Sequence, residues 1–226
     1  MHIEWLEADK FRNLSGKVEI SPGLNIFLGD NGQGKTNWLE AMYILATTRS
    51  FKTAKLQEAI KFAEEIAVVR CLVRRSEDIH REMQVVLQGN TKALAVNGKR
   101  ETVHGYLGGL HAVIFNAEEL GVVRGNPDAR RKFLDTAVVS VHPPYIQTLS
   151  DYNSVVKQKN ALLQTASEGE YSIEKTAELL EPWNKQLAAF AARIHRSRVR
   201  IVERLNEALV KRFFGREEVS IRYISS

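Results

Sequence analysis

The chain has 226 residues, 44% of them hydrophobic and 26% charged, with a formal net charge of +5. That length can bury a substantial core, as one large domain or somewhat more than one. A single cysteine, Cys71, excludes an intrachain disulfide and a cysteine zinc site, no apolar run reaches membrane-span length, and Met1-His2-Ile3-Glu4 is unlike a signal peptide, so a reducing cytoplasm is expected.

His2–Ala8 alternates apolar and polar residues and predicts a half-buried strand. Phe11-Arg12-Asn13-Leu14 turns the chain, Lys17–Ile20 returns it, and Ser21-Pro22-Gly23 is turn punctuation. Leu24–Leu28 is apolar enough for a buried strand and runs into Gly29-Asp30-Asn31-Gly32-Gln33-Gly34-Lys35-Thr36. That octapeptide fits G-x-x-x-x-G-K-[ST], the phosphate-binding loop of nucleoside triphosphatases. Asn37–Leu45 follows with Leu39, Met42, Tyr43 and Leu45 at helical spacing. Strand, glycine-rich turn and helix form the context in which this motif binds phosphate.

The chemistry follows from the residue types. Gly29, Gly32 and Gly34 permit backbone conformations closed to residues with a Cβ and let the chain approach phosphate oxygens. Loop N–H groups and the positive end of the following helix form an anion cradle. Lys35 is placed to reach the β- and γ-phosphates, and the Thr36 hydroxyl to ligate Mg²⁺, which accepts one protein oxygen alongside phosphates and water. A nucleotide with Mg²⁺ is the expected ligand, held by residues 29–37 including Asn37. Arg12, one hairpin upstream, is either a surface turn arginine or a further nucleotide contact.

Thr47–Thr53 is a polar loop carrying Arg49 and Lys52. Glu65–Arg74 and Arg81–Leu87 predict two strands across a charged turn, and Asn97-Gly98 predicts a type I′ hairpin between Leu94–Val96 and Lys99–Val103. Leu110–Phe115 is a further strand candidate. From Asn116 to about Phe214 the pattern becomes helical. Asn126-Pro127-Asp128 is a helix start, with Phe133, Leu134, Ala137, Val138 and Val141 on one face and His142-Pro143-Pro144 as the stop. Tyr145, Leu149, Tyr152, Val156 and Leu163 recur near heptad spacing. Beyond Ser167–Glu170 so do Leu180, Trp183, Leu187, Phe190, Ile194, Ile201 and Leu205, with Pro182 predicting a kink or restart. Two long antiparallel helices of this kind make an arm. Val219–Ile224 alternates again and predicts a strand returning to the first domain. The division expected is a head over 1–115, an arm over 116–214 and a returning strand over 215–226.

Lysines and arginines concentrate at Arg124–Lys132 and from Arg193 to Arg216, runs that solvated helix faces produce more often than DNA grooves do. Arg130, Arg131 and Lys132 are the candidate DNA contacts, set against a role as solvated or salt-bridged surface cations.

Several segments together resemble the RecF family of bacterial recombination-mediator ATPases. They are Phe11–Leu14 with Asn31–Asn37, Thr47–Thr53, Phe115–Asp135, Tyr145–Leu163 and Trp183–Ala188, in the family's order. Departures are Trp38 for leucine, Ala117 for proline, Glu119 for aspartate and Asn184 for aspartate. The resemblance implies an α/β ATP-binding-cassette head of the SMC and Rad50 kind, with mixed or antiparallel sheets around the phosphate-loop helix and an inserted helical arm. It implies ATP-dependent homodimers of the full-length protein, binding to duplex DNA near single-strand gaps, and cooperation with RecR and RecO in loading recombinase. The family's signature motif and Walker B acid have no counterpart here. The strand candidate at 112–115 ends in Asn116, so the chain reads as an N-terminal part that binds ATP weakly or not at all and does not turn it over. Competing readings are an SMC-like structural head without turnover, a small-molecule kinase, which would need an arginine-rich lid, and a GTPase, which would need D-x-x-G and N-K-x-D; neither GTPase motif occurs.

Overall fold

The computed structural model describes residues 1–76, 79–116, 121–210 and 219–225, and the structural statements below concern these. The charged turn at 77–78, the motif positions Ala117 and Glu119, Arg216 and residues 215–218 of the expected returning strand lie outside them. The chain divides into two units, Met1–Asn116 and Ala117–Ser226.

In the first unit, β1 (His2–Phe11), β2 (Leu14–Glu19), β3 (Ile66–Ser76), β4 (Ile79–Gln88), β5 (Thr91–Val96) and β6 (Lys99–Glu101) form one sheet in the order β2-β1-β3-β4-β5-β6. Every pairing is antiparallel. Because side chains alternate across a strand, Ala67, Val69, Cys71 and Val73 of β3 and Met83, Val85 and Leu87 of β4 all reach the buried face. Burying one such aliphatic side chain stabilises the fold by roughly 1.5–3 kcal/mol relative to leaving it exposed. Helix α1 (Lys35–Thr47) packs on this layer through Ala41, Ile44 and Leu45. The β5–β6 turn has Asn97 at φ 49° and Gly98 at φ 74°, the two positive values a type I′ turn requires. Thr102 caps a short helix, α2 (Val103–Tyr106), that the residue pattern did not announce.

In this unit three expectations change. Leu24–Leu28 forms no strand and pairs with nothing among the described residues, and Leu24 and Leu28 are each 86% exposed. An apolar run becomes a strand only when a neighbouring strand satisfies its N–H and C=O groups, and the sheet offers it none. Its local bonds are instead those of Asn25 with Ser21. Residues 111–116 also form no strand: Leu110 is buried, whereas Val113 and Phe115 are exposed. On α1 the buried face is Glu40, Ala41, Ile44 and Leu45, so Leu39 points outward.

The second unit contains α3 (Gly121–Arg124), α4 (Pro127–Val141), α5 (Tyr145–Ser167) and α6 (Ile173–Val210). Asn126 caps α4, its side chain accepting from the Ala129 N–H, with Pro127 in the first turn, where its missing N–H costs nothing. α6 runs unbroken through Pro182 for 38 residues. Its length is about 57 Å at 1.5 Å per residue. Val138, Tyr145, Ile194, Ile201 and Val202 form the core, with Leu149, Tyr152 and Leu205 against it. On α5 the buried valine is Val155, and Leu163 is exposed. Arg198 is turned inward, its Nε and Nη2 donating to Asp135 at 2.8 and 2.9 Å, while the Tyr145 hydroxyl donates to the same carboxylate at 2.7 Å. Residues 219–225 form no strand; the Asn206 side chain bonds both the N–H and the C=O of Ile221 at 2.8 and 2.9 Å, and Ile221 and Tyr223 pack against this core.

Candidate functional site

The loop expected to bind phosphate, residues 29–36, is shaped by its glycines. Gly29, Gly32 and Gly34 have φ of 144°, 86° and 92°, in the left-handed region that a Cβ disfavours. Gly34 is the N-cap of α1, and a Cβ on it would sit 2.6 Å from Leu14 Cδ2 and 2.8 Å from Asn13 Oδ1. The loop therefore rests directly on the β1–β2 turn. The N–H groups of Gly32, Gly34, Lys35 and Thr36 have no acceptor among the described residues, and they are grouped at the positive end of a 13-residue helix. Lys35 arches back over the loop, its Nζ donating to the carbonyls of Gly29 and Asp30 at 2.8 and 2.7 Å. An ammonium has three N–H donors, so one is left for a phosphate oxygen. Thr36 is exposed in the first turn of α1, and Gln33 closes the loop by accepting from the Asp30 N–H.

Beneath the loop a chain of amides ties it to its support. Asn13 Nδ2 donates to the Gly32 carbonyl at 2.7 Å, Asn37 Nδ2 donates to Asn13 Oδ1 at 2.7 Å, and Lys52 Nζ donates to Asn37 Oδ1 at 2.5 Å. One helical turn further on, the fully buried Glu40 gathers three partners. Arg12 Nε and Nη2 donate to it at 3.1 and 2.9 Å, the Ser50 hydroxyl at 2.6 Å, and Lys52 lies 3.6 Å away. The structure thus places the Arg12 guanidinium on Glu40 and on the Glu58 carbonyl, in a residue that itself has φ 55°. Residue pattern alone missed Glu40. Its signal was an acid at i and i+4 with Ile44, on what proves to be the buried face of α1. The other end of α1 is closed by Lys92, whose Nζ donates to the Thr48 carbonyl and hydroxyl at 2.7 and 2.9 Å. Burial, with Arg49 nearby, lowers its pKa to about 8.

A cleft of about 900 Å³ opens beside Asn13 and Asn37, lined also by Arg12, Gln57, Phe62 and Gln88. Phe62 is 97% exposed. No group of three or more His, Cys, Asp or Glu side chains that could hold a metal occurs among the described residues, and none of their helices is long and apolar enough to cross a membrane. In the second unit, Arg130 Nη1 donates to the Gly125 carbonyl at 2.9 Å, Arg131 pairs with Asp128, and Lys132 is exposed.

No protein-family model matches the chain. The DNA replication and repair protein RecF of Citrifermentans bemidjiense is 38% identical over 212 residues, 92% of this chain and 55% of that protein. The protein of the same name from Streptococcus agalactiae is 35% identical over 233 aligned positions, covering all of this chain and 61% of that protein. Among solved structures, the recombination mediator protein RecF-ATPrS in the RecFOR pathway matches with a TM-score of 0.85 at 33% identity, over 93% of this chain and 56% of that one. The corresponding RecF-ATP structure matches with a TM-score of 0.84 at 34% identity, over 92% and 56%. The chain spans little more than half the length of the curated relatives it matches. With sequence and fold matched together over nearly all of its own length, the chain belongs to the RecF family.

Proposed function

We propose that this chain binds ATP with Mg²⁺ on residues 29–37, as part of a DNA-binding protein of recombinational repair and replication maintenance. The observation that carries the nucleotide is the loop itself: three glycines with positive φ, four N–H groups without acceptors, and an ammonium with a donor left over. Thr36 supplies the protein oxygen for Mg²⁺, the remaining ligands being phosphate and water. The cleft beside Asn13 has a volume suited to the nucleoside, with Phe62 as a ring to stack on it. Relatives named for DNA replication and repair, and structures of RecF-ATP in the RecFOR pathway, support the wider role. That role comprises binding duplex and gapped DNA, working with RecR and RecO to load recombinase, and dimerising on ATP as the full-length protein.

Turnover asks for more than a bound phosphate, since a water must be positioned and charge stabilised at the γ-phosphate. Glu40, the acid one turn into α1, is held by Arg12 and buried, and is no general base. Weak ATP binding without steady-state phosphate release is expected of this chain. Calorimetric titration with MgATP and MgGTP tests the reading. Lys35→Ala should lower MgATP affinity roughly tenfold to a hundredfold, the cost of about 1.5–3 kcal/mol for a hydrogen bond to a charged group. Equal affinity in a folded Lys35→Ala protein would refute it.

A further inference from the structure

The arginine-rich run on α6 separates into two populations. Arg198 faces inward and pairs with Asp135. Arg193, Arg196, Arg200 and Arg204 are all exposed, and none makes an ion pair among the described residues. At 100° and 1.5 Å per residue the four lie within an arc of about 80° and a length of about 16 Å. The opposite side of the same turns carries Ile194, Ile201 and Val202, which fix the helix rotation by packing in the core. No aspartate or glutamate occurs between Glu181 and Glu203, so Arg193 and Arg196 have no acid within a turn on their own helix, while Glu203 and Glu207 follow Arg200 and Arg204 at i+3.

From this row we infer a docking surface for the phosphodiester backbone of duplex DNA, distinct from Arg130–Lys132. The inference rests on the DNA-binding reading above and assigns it a surface. One strand of a duplex presents a phosphate about every 3.4 Å along its axis, so a 16 Å row faces about five phosphates with four guanidinium groups. Arginine suits that surface because its planar fork of donors matches phosphate oxygens in pairs. A protein partner fits less well. Protein interfaces are anchored by buried aromatic or aliphatic groups, and no large hydrophobic side chain is exposed on this stretch of α6. The contact reads no bases, so it positions the protein on DNA without sequence preference.

The test is fluorescence anisotropy with a short labelled duplex over a salt series, using the whole chain. Replacing Arg193, Arg196, Arg200 and Arg204 with Gln should reduce the slope of log K against log[salt] by about 3–4, since each phosphate contact contributes about 0.9. The same four changed to Lys should keep most of the slope. An unchanged slope in the Gln variant, or no duplex binding by the unsubstituted chain, overturns the proposal. Should the fourfold variant lose helical circular dichroism, Arg193→Gln and Arg200→Gln alone should each lower the slope by about 1, and no change in either would overturn it. Lys35→Ala separates the two readings: it lowers ATP affinity and leaves the slope in nucleotide-free buffer intact, so failure of one is visible without the other.

Discussion

Glu40→Gln is the perturbation that best probes how the phosphate loop is supported. The substitution preserves volume but removes a fully buried charge that accepts two bonds from Arg12 and one from Ser50. Deleting one partner of a buried pair costs about 3–5 kcal/mol because the other charge is left uncompensated. The Arg12 side chain is 21% exposed and keeps its bond to the Glu58 carbonyl, so part of its solvation survives. A loss of about 2–4 kcal/mol follows, which for a chain of this size lowers Tm by about 5–15 °C. Thermal unfolding by circular dichroism measures it, and an Arg12→Ala, Glu40→Gln cycle isolates the pair. The double variant should be little worse than either single, giving a coupling of about 2 kcal/mol. MgATP affinity should fall as well, because Arg12 adjoins Asn13, which holds the Gly32 carbonyl. A Tm within about 1 °C of the parent, or strictly additive single effects, would refute the account, since partners in contact couple by more than that.

Gly34→Ala should abolish MgATP binding in a protein that still shows the arm's helical signal, because the new Cβ meets Leu14 and Asn13 at a φ of 92°; unaltered calorimetric affinity would contradict it. Lys92 titrates near 8 in the fold against 10.5 unfolded, so between those values the unfolded chain binds more protons and stability rises with pH. Lys92→Met should flatten that rise in urea unfolding measured across the window, and an identical pH profile would count against the buried ammonium. Burial pushes the Cys71 thiol up to about 12. Native protein should therefore resist iodoacetamide near neutral pH and react only on unfolding. Prompt labelling of the native state would show that β3 is more open than described.

What the sequence determined by itself depends on a few adjacent residues. The glycine-rich loop and the start of α1 were legible because glycine spacing and a helix start are local, as were the Asn97-Gly98 turn and the Asn126 cap. Alternation located β1, runs rich in strand-forming residues located β3 and β4, and heptad-like spacing located α5 and α6, because pattern and composition record which side chains prefer burial. Periodicity does not record a partner. Leu24–Leu28 carries the composition of a buried strand, yet it makes no ladder, since a ladder requires a second strand that composition cannot supply. Glu40 and Arg12 are 28 positions apart and Asp135 and Arg198 are 63 apart. Only the folded chain brings each pair together. A run of arginines is uniform in sequence until packing turns Arg198 inward to a carboxylate and leaves Arg193, Arg196, Arg200 and Arg204 in solvent. That choice belongs to tertiary structure, because a buried charge is tolerated only where a distant residue has been placed to meet it.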